Sequence, residues 1–390
     1  MPTPRLRYIH IDGYRAFKRF EARLGPLEVL VGVNGSGKST LFEFLQFLRE
    51  GVTDQFPVEI VSGSLGKDLF HRPGPDRFSW KVCVDMGFEG DYDIEYSADV
   101  TGSRGSLLIN REEAFATSQE GSPHPIMEVR DRKGWFSNGP VPNELRQRVA
   151  LRRPNKLALS DVTNPDLVPL TLLRDHLRSM TYYQATQMLS GHLRRSVPVQ
   201  QEPCLSQDGS NLSAVLYYLW TEERGIFEQI ESAMRVFVPG FKSLSVKLNG
   251  TPAEVTTFYT MRGSSAELSI ADLSDGLLRL LCWTVISHVP QPAHLVCVDE
   301  PDLGLHPSVL PYLADMFREL ATRTQVMVAT HSSQFLKQFS LEEIAVMSLG
   351  EKGPRFLKPA NSDVLRASLP HLEVAHQEQL HRSEELEKIS

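Results

Sequence analysis

The chain has 390 residues, 41% of them hydrophobic and 23% charged, with a formal net charge of −7 and a pI near 6.0. That length allows two or three domains, or one large α/β domain with insertions, and a core large enough to fold without staples. The acidic balance excludes a globally basic nucleic-acid coat while leaving local basic patches open, and four scattered cysteines with no CxxC pair signal neither a zinc site nor a disulfide framework.

The first residues, MPTPRLRYIH, lack the apolar core of a signal peptide. The most apolar run, Leu277 to Val289, is too short to span a bilayer and contains Arg279. A reduced, soluble, cytoplasmic protein with no membrane contact is the expectation. Residues 1–50 read strand, turn, strand, loop, helix: Leu27 to Val31 is a buried-strand run, and Leu41, Phe44, Leu45 and Leu48 recur at helical spacing. In 51–142, loop-like sequence gives way to FSWKVCVDM, DYDIEYSADV, SLLIN and IMEVRD, whose alternation predicts an antiparallel β-meander. Residues 143–240 read as a helical insertion broken at Pro154, Pro165 and Pro203. From 241 to 350 a second meander (SLSVKL, AEVTTFYTM, AELSIADL) leads into α/β alternation. Its parts are a helix from Ser274 to about His288, the strand HLVCVD, and a helix with Leu310, Leu313, Phe317 and Leu320 on one face. The strand QVMVAT, a short helix and the strand EIAVMSL follow. Residues 351–390 end in a polar tail, read as a solvated or frayed helix. No repeat and no sustained heptad pattern is present, so no long coiled-coil arm is expected.

Four segments carry chemistry. Gly32-Val33-Asn34-Gly35-Ser36-Gly37-Lys38-Ser39, followed by Thr40, fits G-x-x-x-x-G-K-[ST] in full, between an apolar strand and an apolar helix. Glycines let backbone N–H groups turn in around phosphate oxygens, and the helix N-terminus adds its positive dipole end. Lys38 would reach the β- and γ-phosphates and Ser39 would ligand Mg²⁺. In LVCVDEPDLGLHP an apolar strand ends in Asp299 and Glu300, placed for a water-mediated Mg²⁺ contact and for polarising an attacking water. In LSDGLLRLL, Ser274 fits a helix N-cap, and Ser274 with Gly276 also fits an anion site. His331, in ATHSS just past a strand, could meet a γ-phosphate or a water.

Taken in chain order (the Gly32–Ser39 loop, LSDG, DEP and ATHSS), the four segments resemble the ABC-type ATPases of the SMC/RecF/OLD branch, in particular short bacterial RecF-like "AAA family" ATPases. The likeness runs from Leu6 to about Leu349 and includes GYRAFKRFEARLGPLEVLVGVNGSGKSTLFEFLQFL and LRSMTYYQ…LSQDGSNLSAVLYYL. It implies a P-loop NTPase fold of the α/β class: an ABC/RecF-like head with mixed sheet, a β-meander subdomain and a helical insertion. It implies ATP and Mg²⁺, and an ATP-sandwich homodimer or higher homo-oligomer. Lys38 and its loop neighbours Asn34, Gly35, Ser36, Gly37, Ser39 and Thr40 would hold ATP in one subunit. Ser274 and Gly276 of another would contact the γ-phosphate. Arg15 matches a phosphate-contacting arginine, Glu300 the general base and His331 the switch histidine, while Pro301 to Gly304 matches the D-loop. Two departures stand out. No glutamine has a clear Q-loop context, Gln184 and Gln187 being the candidates, and Leu277 stands where many relatives carry a polar residue. Only 59 residues follow His331, too few for the TOPRIM nuclease domain of OLD relatives.

Two function classes follow. One is an ATPase motor or switch in DNA repair or anti-phage defence, working with a nuclease or toxin effector. In it the basic clusters Leu145 to Lys156 and Gly191 to Ser196 are candidate contacts for DNA phosphates, though a solvated helix face is the simpler reading of both. The other is a non-enzymatic scaffold in which ATP assembles an oligomer that holds the effector inactive. A P-loop kinase or GTPase is disfavoured, because no NKxD-like guanine motif is present and such enzymes do not need the LSDG and ATHSS pair; a transport ABC subunit is disfavoured by the long insertion.

Overall fold

The computed structural model describes residues 3–361 except 54–55, 57–68, 88–91, 104–105, 119–120, 141–144, 154, 190, 192–194, 251–252, 291 and 351–352. The tail read as a frayed helix and half of the Gly191 to Ser196 cluster (192–194) therefore lie outside the described residues. The chain divides into two compact units, Met1–Met180 with Ala293–Leu295 and Leu341–Ser390, and Thr181–Pro292 with Val296–Ser340.

The first unit opens with β1 (Arg5–Tyr14), β2 (Phe17–Arg23), β3 (Leu27–Val31) and α1 (Lys38–Thr53). The meander follows as β4 (Arg77–Asp85), β5 (Tyr92–Ser103), β6 (Ser106–Ser118), β7 (His124–Arg130), β8 (Lys133–Phe136) and β9 (Gln147–Ala150). These strands make an antiparallel sheet in the order β2-β1-β4-β5-β6-β7-β8-β9. Its pleat sorts the sequence: in β4, Phe78, Trp80, Val82 and Val84 are buried while the alternate residues are not. Helix α1 lies on that apolar face. Phe47 meets Phe78 and Trp80 at ring separations of 5.5 and 5.8 Å, and Phe44 meets Tyr14 at 5.5 Å. Each such burial contributes roughly 1.5–3 kcal/mol, so the helix axis, and with it the loop that precedes the helix, is firmly placed.

Strand β3 is buried throughout and runs parallel to β17 (Ile344–Gly350), which pairs antiparallel with β18 (Gly353–Leu357). Within β3, Glu28 is fully buried. Burial raises its pKa, opposed by an ion pair to Lys358 at 2.5 Å and the Gly25 N–H. The range read as a helical insertion begins here with α2 (Val168–Arg178), preceded by a short 3-10 turn, Ala158–Asp161. That turn is fastened to the sheet by Glu112, whose carboxylate accepts Ala158 N at 2.6 Å, Leu159 N at 2.8 Å and the Tyr96 hydroxyl at 3.0 Å. Complete burial pushes the Glu112 carboxyl up to about 7 against those three donors.

The second unit begins with β10 (Thr181–Gln184) and β11 (Val197–Pro198), then α3 (Leu212–Thr221) and α4 (Arg224–Phe237). The described residues of 143–240 thus hold three helices and three short strands, two of the strands ending on proline or glutamine where no alternation of useful length exists. The second meander is β12 (Phe241–Asn249), β13 (Glu254–Met261) and β14 (Glu267–Ser269), with β11 and β14 both on β13. Glu231 of α4 accepts Leu244 N at 2.7 Å, and Thr257 of β13 donates to Ser213 of α3 at 3.0 Å. Then come α5 (Asp275–His288), β15 (Leu295–Asp299), α6 (Leu310–Arg323), β16 (Gln325–Ala329) and the short α7 (Ser333–Leu336). Helix α5 is buried along Leu278 to Ser287, as its apolar circumference requires. Strand β10 runs parallel to β15, with Gln184 level with Asp299.

Candidate active site

The loop after β3 is shaped by three glycines. Gly35 and Gly37 sit at φ of +83° and +100°, where a side chain is strained. A Cβ on Gly37 would lie 2.8 Å from the Phe17 ring and 3.1 Å from Pro354, and one on Gly32 would overlap the Met347 carbonyl oxygen. A Cβ on Gly35, by contrast, would meet only open space, so that turn of backbone is accessible to a ligand. Helix α1 starts at Lys38, and its buried ammonium donates to Gly32 O at 2.5 Å and Val33 O at 3.2 Å. A cation folded back over the loop's own carbonyls marks the place where an anion would draw it outward. Asn34 and Ser39 are exposed, Thr40 is half-buried, and Ser36 is buried with its hydroxyl under the loop, close to Gly32. Arg15 takes φ +46°, and its guanidinium pairs with Glu43 of α1 at 2.5 Å, while its carbonyl meets His71 Nδ1 at 2.9 Å.

In the second unit, β15 ends with Asp299 and Glu300 both half-exposed. The Tyr182 hydroxyl donates to Asp299 Oδ2 at 3.2 Å, and the Asp299 carbonyl accepts Ala185 N at 3.0 Å. Glu300 adopts φ +52°, a left-handed conformation that costs a non-glycine residue about 1–2 kcal/mol. It is held there by its N–H on Ala329 O at 2.8 Å and by its carbonyl accepting Leu303 N at 3.0 Å. Strain at a strand-end carboxylate, fixed on both sides by backbone bonds, is a signature of function before packing. The turn that follows is tied down by three side chains. Trp283 Nε1 donates to Pro301 O at 3.0 Å, Arg279 donates to Leu303 O, and Thr330 Oγ1 donates to Asp302 Oδ1 at 2.7 Å. Thr330 also accepts Ser332 N at 3.0 Å, which leaves His331 exposed on the loop between them.

Ser274 caps α5, its hydroxyl accepting Leu277 N at 3.4 Å. Gly276 has a second reason to be glycine: a Cβ there would overlap the carbonyl oxygen of Gly304, whose own φ is +75°. The start of α5, the turn after Glu300 and the loop of His331 are therefore one packed cluster, although 25 to 57 residues separate them in sequence from Ser274.

The predicted residues fall into two groups, each within its own unit. Arg15 and Asn34 to Thr40 lie in the first unit; Ser274, Gly276, Asp299, Glu300 and His331 lie in the second. Sequence reasoning missed Tyr182, Arg279, Trp283, Asp302 and Thr330 as positioning side chains. An arginine buried in an otherwise apolar helix was the available signal for Arg279. For the Q-loop glutamine, register favours Gln184 over Gln187, since Gln184 stands level with Asp299 and Gln187 lies beyond the strand. Among the described residues no group of three or more His, Cys, Asp or Glu side chains could hold a metal unaided. No helix of the described residues is long and apolar enough to cross a membrane.

The chain is similar to several known proteins. The chain is 26% identical to the "Retron Ec83 probable ATPase" of Escherichia coli over 405 aligned positions, covering 89% of this chain and 72% of that protein. It is 22% identical to the "Old nuclease" of Escherichia phage P2, covering 86% of this chain and 57% of the phage protein, so it spans little more than half of that relative. Among solved structures, an Smc head bound to the C-winged helix domain of ScpA superposes with a TM-score of 0.56 at 13% identity, covering 90% of this chain and 96% of that one. The fold is that of the Smc-type P-loop ATPase head, with several sheets, one of them antiparallel, and accompanying helices. The profile of the family described as "AAA domain, putative AbiEii toxin, Type IV TA system" matches residues 28–337, and the chain belongs to that family of ATPases, on its SMC/RecF/OLD-like branch.

Proposed function

We propose that this protein binds ATP with Mg²⁺ at the Gly32–Ser39 loop, hydrolyses it slowly, and uses the cycle as a switch on a partner effector, a nuclease or toxin, in anti-phage defence or DNA repair. The observation that carries the reading is the loop itself. Positive-φ glycines open its backbone to an anion, a helix begins at Lys38, and the Lys38 ammonium is already folded over that backbone. In the proposed cycle Lys38 leaves Gly32 O for the β- and γ-phosphates, and loop N–H groups cradle them. Ser39 and, through water, Asp299 would hold Mg²⁺, which would supply positive charge against the phosphates. Glu300, fixed in its left-handed conformation, takes a proton from the attacking water. Gln184 and His331 orient that water and the γ-phosphate.

The partner arrangement is an ATP-sandwich homodimer, in which Ser274 and Gly276 of a second copy face the γ-phosphate. Exposure of Ser274 at a helix N-terminus and of His331 on its loop supports it. An effector partner is supported by the names of the relatives, a retron ATPase, a phage nuclease and a toxin-system family. Arg15, held on Glu43, would have to release that carboxylate to reach a phosphate. The test is phosphate release together with sizing in the presence and absence of ATP. ATP-dependent dimerisation with turnover that depends on Lys38 supports the reading. Stable assembly with negligible turnover would instead make the protein a scaffold.

A further inference from the structure

Strand β9 closes one end of the eight-stranded sheet and, among the described residues, has a neighbour, β8, on one side only. The pairing fixes which of its backbone groups are used. Leu151 N donates to Arg132 O at 2.8 Å, and the register continues Ala150↔Lys133, Val149↔Gly134, Arg148↔Trp135, Gln147↔Phe136. In an antiparallel pair, hydrogen-bonded and non-bonded residue pairs alternate. Leu151, Val149 and Gln147 therefore bond to β8, and the N–H and C=O groups of Arg148 and Ala150 point to the open edge.

The side chains on this edge are of one sign. Residues 145–153 carry four arginines and no carboxylate. Elsewhere on the same sheet several cations are matched: Arg77 with Asp99, Lys81 with Glu95 at 2.7 Å, Arg130 with Glu128 at 2.9 Å. At the edge, Arg132, Lys133, Arg148 and Arg152 have no carboxylate partner among the described residues, and Asp131 is the one acid among the described residues of 131–153. Arg146 lies flat on Trp135, 3.8 Å from the ring centre, which braces the strand's start, and Leu145 before it is 73% exposed. Like charges along an open edge repel a second copy of that edge. They complement an acidic strand.

We infer that the open edge of β9 docks an extended, acidic segment of a partner protein, which adds a strand beside Arg148 and Ala150 and pairs its carboxylates with Arg148, Arg152, Arg132 and Lys133. Main-chain bonds give such strand addition its affinity, and side chains give its selectivity. The inference does not depend on the nucleotide reading, because every group it uses is on β7, β8 or β9 or in the residues that join or flank them.

The probe is a fluorescein-labelled peptide alternating Glu and Val, titrated against the full chain by anisotropy. Its comparators are the Lys-for-Glu peptide, the same acidic peptide N-methylated at alternate residues, and an oligothymidylate. Saturable binding of the acidic peptide, lost with the Lys peptide and weakened about tenfold by N-methylation, is the expected result. Ala150→Pro removes only an edge-facing N–H, a position where proline is tolerated, and should weaken the peptide to a similar degree without lowering the melting temperature. Arg148→Glu with Arg152→Glu should abolish binding. Equal affinity for the N-methylated peptide, or indifference to Ala150→Pro, would mean charge attraction without strand pairing and overturn the inference. So would no binding, or oligothymidylate displacing the peptide, which would assign the edge to nucleic-acid phosphates.

Discussion

Gly276→Ala tests whether the start of α5 and the turn after Glu300 work as one part. The added methyl would overlap the Gly304 carbonyl oxygen, with its carbonyl carbon at 3.4 Å and Leu305 Cδ2 at 3.7 Å. Neither side can yield freely. The turn is fastened by Arg279 on Leu303 O and Trp283 on Pro301 O, and both side chains belong to α5 itself. Overpacking of this kind costs about 1–3 kcal/mol. If the displaced arrangement is the inactive one, turnover falls by about fivefold to about a hundredfold, at roughly 1.4 kcal/mol per factor of ten. The Lys38 loop of a single chain binds ATP without Gly276, so equilibrium binding of a fluorescent ATP analogue, measured at a protein concentration too low for dimerisation, should stay within about twofold. Steady-state phosphate release and that titration, run on the same preparation, separate the two effects. Wild-type turnover in Gly276→Ala would refute the argument that this contact sets the geometry of the turn. A parallel loss of binding would show that the damage is general.

Lys38→Ala removes the ammonium from Gly32 O and Val33 O and should abolish detectable ATP binding in the same titration. Glu300→Gln should bind ATP normally and lose about 10²–10⁴-fold in turnover, the usual scale for removing a general base; normal turnover would deny Glu300 that role. His176 is fully buried with no partner for either ring nitrogen, and burial with the neighbouring His294 pushes it down to about 3. A base whose folded pKa is depressed below its ordinary 6.5 contributes stability that is present above 6.5 and lost as pH falls towards 3. His176→Phe should therefore melt higher at neutral pH, by the equivalent of about 1–3 kcal/mol for relieving orphaned polar atoms, and lose less of its stability on acidification. A lower melting temperature at pH 7.5 would show that His176 makes a contact worth more than its burial costs.

Where residues follow a local rule, the sequence can be read directly. Leu27 to Val31, the glycines around Lys38, the cap at Ser274 and the acids after HLVCVD each follow such a rule, and the structure puts a strand, a loop, an N-cap and a strand end at those places. What could not be read was set by partners far along the chain. The strand of Thr181 to Gln184 has too few residues for alternation to speak, and it exists because β15 runs beside it. Gln184 became the better Q-loop candidate only through that register. The four residues of β9 sit in a stretch read as helical, and only the ladder to β8 makes them extended. Arg279 reads as an exposed charge in an apolar helix until Leu303 O is seen to receive it.

The same contrast explains why the second unit's motifs could be listed from sequence but not connected. Gly276 was read as part of an anion site at a helix N-terminus, a role that would need only the helix. Its contact with Gly304, the bond from Arg279 to Leu303 and the bond from Thr330 to Asp302 join α5, the turn after Glu300 and the loop of His331. None of these links falls within 20 residues in sequence, so no local pattern could reveal them. Packed elements of this kind tend to shift between discrete arrangements rather than deform by degrees. A displacement at any one of the three motifs is thus transmitted to the other two within the unit, which is the property a switch needs and which a loose collection of exposed catalytic loops would lack.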